Sequence, residues 1–462
     1  VSDTVVDHRP EPPAGAEATT PAGPAPRSGW LSWPGIVLLG FVLCEIRPIE
    51  AGERFAFWGE DGGYFSTQPR QLGIWTSFHT TYAGYLHLIP RSVGAIGAVL
   101  PITYVPPLFA LSACVVAAVA GAVAWHSLRA VEVSSLGAGL IAAAVVLLPA
   151  AGFEVVDNLT NVQWYCLAAA TIFFASWLAG YRPRPVVAAA LLVIAGLTTP
   201  LLAAALPFIL VVTILRRRRI DVVVLLAVVV GTVAQGIAHL ISSPPTPITI
   251  HVSQIVRLYA ERVGDGGVLG DRLQRVLYDL LTPRGAEIVG VVVVLVVLGA
   301  TVARPTHRLP GLYLLYTSVV LLVASVALRP DFTTLPNVGY VLVNGVPALV
   351  SGRYMAVPGL CVTAAAVLLV DPYLRRGAST SPQVLARVVV AGIAVMLVAN
   401  TPVNLERDTL ANWRQQVAAA RATCSVHHDI GIVSIVNGPF NAWEMTLTCS
   451  QTFGSLPPPT TG

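Results

Sequence analysis

Long apolar runs, separated by short arginine-bearing turns or by longer mixed connections, dominate the chain. A helix needs roughly 20 apolar residues to cross a hydrocarbon core of ~30 Å. Runs of that kind occupy 31–48, 106–128, 134–151, 159–180, 220–241, 286–303, 310–328, 352–370 and 385–400. The stretch 185–215 differs, with 31 residues between Arg184 and the run Arg216 to Arg219. At ~1.5 Å per residue that is about 46 Å of helix, too long for one crossing. It also contains GLTTPLL, where Pro200 lacks an amide proton and clashes with the preceding turn. Two short helices, 185–197 and 200–215, are predicted instead, which brings the total to eleven spans.

The arginines orient these spans. Arg129, Arg182 and Arg184, Arg216 to Arg219, Arg304 and Arg308, and Arg375 and Arg376 fall in alternate connections. Cytoplasmic loops carry the excess of basic residues. The N-terminus is therefore expected in the cytoplasm and the C-terminus outside. The outer segments are then about 49–105, 152–158, 242–285, 329–351 and 401–462. Within the first of them, QLGIWTSF and GYLHLIPRSVGAIGAVLP mix apolar and polar positions at helical spacing. They read as short amphipathic helices in the membrane interface.

Composition agrees with a multi-pass plasma-membrane protein. Mean hydropathy is +0.71, with 55% hydrophobic and 11% charged residues. The net charge of +4, carried by 28 basic residues that are all arginine, gives no reason to expect nucleic acid as a partner. The lipid bilayer is the expected partner. Residues 1–29 are rich in proline, alanine and acid, without an apolar leader core, and read as a disordered cytoplasmic tail. Val1 reads as a GTG start, and the alanine, valine and arginine bias as a high-GC source. The organisation is thus a tail (1–29), an all-α transmembrane domain (30–400) and a small extracytoplasmic segment (401–462). Cys44, Cys114, Cys166 and Cys361 lie in apolar runs and read as small hydrophobes. Cys424 and Cys449 lie in the polar C-terminal segment, which points to a disulfide on an oxidising face. The chain has no visible repeat, Walker loop, dinucleotide fingerprint, Gly-x-Ser-x-Gly elbow or metal-ligand spacing.

Four stretches could carry chemistry. WGEDGGYF places Glu60 and Asp61 side by side in the first outer loop, among glycines that permit unusual backbone angles. GFEVVDNLTNVQWY crowds Glu154, Asp157, Asn158, Asn161 and Gln163 at the mouth of two spans, where Asn158 either caps the helix or faces a cavity. SGRYMAVPG sets Arg353 at a membrane boundary. There a guanidinium either grips a phosphate or snorkels to the headgroups. GLTTPLLAAALP supplies a helix break, whose free backbone groups either line a wet cavity or close a hairpin.

The series EDG, GYLHLIPR, NLTNVQWY and GRYMAVP resembles the GT-C superfamily of multispanning glycosyltransferases, and within it a group of actinobacterial membrane proteins. The resemblance covers about 30–400. It implies inverting transfer of a sugar from a polyprenyl-phosphate donor to a cell-envelope glycan, lipid or protein acceptor on the outer face. Asp61, or second to it Glu60, would be the catalytic base. Arg353 and the adjoining Tyr354 would hold the donor phosphate, helped by Arg91 or Arg329. Glu154, Asn158 and His87 would complete the substrate-binding set. The resemblance leaves a divalent metal open, since some members need one and Glu60, Asp61 and Glu154 offer oxygens. Alternatives are a lipid or polysaccharide transporter or flippase, and a polysaccharide polymerase or ligase of another fold.

Overall fold

The computed structural model describes residues 32–48, 56–242, 252–304, 308–328, 340–343, 346–349, 352–375, 381–403, 413–426, 432–437 and 443–453. The proposed N-terminal tail and Arg329 lie outside the described residues. The chain is predominantly helical. The helices are α1 (Trp33–Glu45), α2 (Thr67–Leu72), α3 (Ile74–His79), α4 (Leu88–Ala98), α5 (Val105–Arg129), α6 (Ser135–Leu147) and α7 (Val162–Leu178). There follow α8 (Pro185–Thr198), α9 (Leu206–Arg216), α10 (Arg219–Ser242), α11 (Val252–Leu258), α12 (Val268–Leu280), α13 (Pro283–Ala303) and α14 (Arg308–Leu328). The last are α15 (Arg353–Leu374), α16 (Ser381–Ala399), α17 (Trp413–Val426) and α18 (Cys449–Phe453). Two antiparallel hairpins pair β1 (Tyr340–Val343) with β2 (Val346–Leu349) and β3 (Ile432–Asn437) with β4 (Trp443–Thr448).

Among the described residues six helices, α5, α10, α13, α14, α15 and α16, are long and apolar enough to cross a membrane. Five shorter apolar helices, α1, α6, α7, α8 and the 200–216 segment, occupy the remaining predicted spans. Burial grades these elements. In α15, 83% of the apolar window is enclosed by protein, against 22% in α13. The exposed Ile288, Val292, Leu295 and Val296 of α13 present an apolar flank suited to acyl chains.

The break after α8 falls where Pro200 requires it. Thr199 is extended, its hydroxyl accepts from Leu201 N at 3.4 Å, and Pro200–Ala205 forms a short 3-10 turn before α9. Close backbone approach then packs α8 against α10. A Cβ on Gly231 would lie 2.7 Å from the Gly196 Cα, and one on Gly196 would lie 2.9 Å from the Gly231 Cα. Gln235 crosses the same seam, donating to Gly196 O at 2.9 Å and Leu86 O at 3.1 Å and accepting from Leu86 N at 2.8 Å.

One sequence reading changes. The glycines of WGEDGGYF do not open a loop: Asp61–Ser66 is a wide π-helical turn, continuous with α2. Positive φ occurs among glycines at 73, 84, 152, 180 and 270, not at 59, 62 or 63. Helical structure also occurs within the predicted outer segment 242–285. Tyr259–Gly267 is π-helical and packs into the bundle, where a Cβ on Gly359 would fall 2.2 Å from the Gly267 carbonyl carbon.

The polar contacts sort into two ends of the bundle. At one end, Asp371 accepts from Ser134 N at 3.0 Å and from Arg375 at 2.7 Å, and Trp177 donates to Asp221 at 3.1 Å. At the other, the first connection meets the C-terminal segment. Trp413 donates to Ile102 O at 3.1 Å, Gln451 to Arg70 O at 3.1 Å and Gln71 to Thr446 O at 3.2 Å. Cys424 and Cys449 are paired across that segment, their Cα atoms 5.5 Å apart.

The Gly196–Gly231 seam gives a controlled test. Gly231→Ala should lower stability by about 1–3 kcal/mol because the backbones must separate. Gly236→Ala, on the same helix with no atom within 4 Å of the added Cβ, should be neutral or slightly stabilising. Thermal unfolding in detergent measures both. Equal behaviour of the two variants would contradict the packing described.

Candidate functional site

The turn joining α6 to α7, residues 148–161, organises the site. Leu148 at φ 37 stops α6, and a 3-10 turn at Gly152–Glu154 follows. Asn158 is fully buried and holds the turn closed. Its amide donates to Glu154 O at 2.7 Å, and its carbonyl oxygen accepts from Asn161 N at 3.3 Å. Asn161 donates to the same Glu154 carbonyl at 2.7 Å. Asn158 thus works on backbone, where it closes the turn.

Asp61 binds this turn from outside. Its Oδ1 accepts from Thr160 N at 2.7 Å and Thr160 Oγ1 at 2.6 Å, and its Oδ2 from Leu159 N at 3.1 Å. The side chain is 1% exposed. A carboxylate that already accepts three hydrogen bonds from protein donors has few acceptor positions left for a substrate hydroxyl. That geometry makes Asp61 a positioning group and argues against it as the base.

Glu60, next to it, faces different company. Tyr82 Oη donates to its Oε1 at 3.3 Å. Arg353, at the first turn of α15, is within electrostatic reach of Glu60, Glu154, Tyr85 and Tyr354. The Arg353 backbone amide donates to Glu154 Oε2 at 3.0 Å, and its guanidinium carbon sits 5.3 Å from the Tyr354 ring centre. Trp164 meets Tyr354 edge to face at 5.3 Å. Gln163 donates to Tyr85 Oη at 3.3 Å. Four stretches distant in sequence therefore meet: the 58–65 segment, the 82–85 turn, the 154–164 turn and the start of α15. Tyr82 and Tyr85 escaped the sequence reading, since a tyrosine between interfacial helices has no distinguishing spacing. Burial, with the Glu60 charge second, raises the Tyr82 phenol, and burial pushes Tyr85 up to about 12.

His87 and Arg91 lie one layer away. His87 is buried against Phe65, Tyr82 and Tyr85, with ring centres 5.3, 5.5 and 4.3 Å distant. Burial, then the Arg91 charge, pushes its pKa down to about 3. His87 is thus held neutral, and both of its ring nitrogens are buried without a hydrogen-bond partner. Arg91 is buried over the Phe65 ring, 5.0 Å from its centre, and donates to Gln68. Arg70 donates to Gly97 O at 2.6 Å and Leu100 O at 2.7 Å. Both are buried cations on neutral acceptors, lowered to about 10 by that burial. Arg91 Nε and Nη2 and Arg70 Nε have no hydrogen-bond partner.

Comparison with known proteins adds no identity: no protein-family model and no curated protein matches the chain.

The buried His87 carries a pH dependence. The unfolded chain protonates it below about pH 6.5, whereas the folded protein resists protonation down to about 3. The stability it contributes is complete above the unfolded value and is lost as pH falls, by up to about 1.4 kcal/mol per pH unit. Denaturation in detergent should therefore show wild-type stability declining below about pH 6.5 and a shallower decline in His87→Gln. Identical slopes would contradict the buried neutral imidazole.

Proposed function

We propose that the chain is a membrane glycosyltransferase that moves a sugar from a polyprenyl-phosphate donor to a cell-envelope acceptor, with inversion, on the extracytoplasmic face. The observation that carries the reading is the meeting of Glu60, Glu154 and Arg353, from three separate stretches, at one end of an apolar helical bundle. Eleven crossings, with a cytoplasmic N-terminus and extracytoplasmic C-terminus, set that end outside. The arginine alternation supports this parity, as do the Cys424–Cys449 pairing and its contact with the first loop.

In this reading Glu60 replaces Asp61 as the base. Glu60 takes the proton of the acceptor hydroxyl, and the oxygen attacks the anomeric carbon. The bond from that carbon to the phosphate oxygen breaks on the opposite face, leaving a polyprenyl phosphate. Arg353 meets the charge that develops on the leaving oxygen, and the aromatic faces of Tyr82, Tyr85 and Tyr354 suit a sugar ring. No nucleotide is consumed, since the phosphate ester is already activated. Glu60 and Glu154 together outweigh the charge of Arg353 by one. A donor phosphate then favours a further cation, either Arg91 and Arg70 nearby or a divalent metal on Glu60 and Glu154.

Transfer from a radiolabelled polyprenyl-phosphate sugar panel, in proteoliposomes, tests the assignment. Glu60→Gln should lower turnover by about two orders of magnitude or more with unchanged thermal stability. Asp61→Asn should lower stability, by about 2–4 kcal/mol, because one of its carboxylate acceptors becomes a donor. Full activity in Glu60→Gln would remove the base assignment. No transfer from any donor by the wild type would remove the enzyme reading.

A further inference from the structure

A second polar cluster lies beneath the 148–161 turn and takes no part in the chemistry above. Cys44 on the last turn of α1, Cys114 on α5 and Asp157 in the turn each place one ligand atom within 4.8 Å of the other two. They are 1%, 0% and 3% exposed. Cys114 Sγ donates to Asp157 Oδ1 at 3.0 Å. Asp157 has φ 51, in the left-handed region that non-glycine residues rarely adopt, and such positions concentrate at functional sites. The Tyr165 hydroxyl is buried without a hydrogen-bond partner and is in electrostatic contact with Cys44, Cys114, Asp157 and Arg47. Arg47 is 1% exposed and leaves Nη1 and Nη2 unpartnered. The two cysteines are 70 positions apart, so no sequence spacing announces them.

We propose that Cys44, Cys114 and Asp157 form a structural site for a divalent cation of the zinc class. Two sulfurs and one carboxylate oxygen suit a borderline-soft ion, and the Tyr165 hydroxyl or a water completes a tetrahedron. With bonds of about 2.0–2.3 Å, the ligand atoms of such a site stand roughly 3.3–3.8 Å apart. Closing the longest separation, at most 4.8 Å, by about 1 Å and opening the 3.0 Å Cys114–Asp157 contact by about half as much is enough. Charge also balances. One M2+ replaces two thiol protons, which leave to solvent, so two thiols become two thiolates and the net charge of the buried pocket is unchanged. The Arg47 guanidinium then lies near an anionic dithiolate–carboxylate set, which offers acceptors to its free Nη groups. The ion would tie α1 and α5 to the turn whose Glu154 holds the Arg353 amide and whose Thr160 holds Asp61. Its role is to fix the floor of the site rather than to react.

The test uses the full chain in detergent, reduced with a phosphine and stripped with a chelator, then titrated with Co2+. The wild type should bind about one cobalt per chain with a near-ultraviolet thiolate-to-metal band and visible tetrahedral bands, both lost on adding Zn2+. Cys44→Ser and Cys114→Ser should each weaken binding at least about tenfold, while Cys166→Ser, outside the cluster, should bind as the wild type does. The wild-type spectrum is decisive even where a variant fails to fold. Absence of the thiolate band from reduced, folded wild type, with Cys44 and Cys114 alkylated as free thiols after denaturation, would overturn the proposal. So would a band that survives in both serine variants.

Discussion

Burial of the Asp61 carboxylate against Leu159 and Thr160 is the constraint on which the rest depends. A buried charge is tolerated only where hydrogen bonds replace its hydration. Three donors do so here, all from a turn nearly a hundred residues away. The first connection is thereby fixed to the entrance of α7. Once Asp61 is committed, its neighbour Glu60 is turned toward Tyr82 and Arg353. The same turn presents Glu154 to the first amide of α15. One buried carboxylate thus sets the geometry of two others.

The helices were legible because apolar length and arginine spacing are physical requirements of a bilayer. The Pro200 break was legible because proline leaves the chain no other option. Helix lengths were less so. α1 and α6 each run to 13 residues, shorter than the apolar runs that predicted them, and α6 stops where Leu148 turns left-handed. The glycines around Glu60 misled. They were read as conformational freedom, but they sit in a helical turn, and tight packing in that region appears instead at Gly94, whose Cβ would meet Phe65 O at 2.3 Å.

The site was legible in membership but less so in roles. Glu60, Asp61, Glu154 and Arg353 do gather at one end, yet which acid is free depends on hydrogen bonds between remote segments. Adjacent acids look alike in a sequence. In the fold one accepts three protein donors and the other faces a tyrosine and an arginine. Asn158 closes its turn through backbone groups, while His87 packs among the rings of Phe65, Tyr82 and Tyr85. Cys44 and Cys114 were passed over as small hydrophobes, since only the packing of α1 on α5 brings them to Asp157.

In the proposed reaction Arg353 is the phosphate contact at the Glu60 end of the bundle. Binding of polyprenyl phosphate to the purified protein, with Arg353→Gln compared against Arg304→Gln at the opposite end, tests it most directly. Arg353→Gln should lose affinity roughly tenfold or more, and Arg304→Gln not at all. Equal binding by Arg353→Gln and wild type would contradict it.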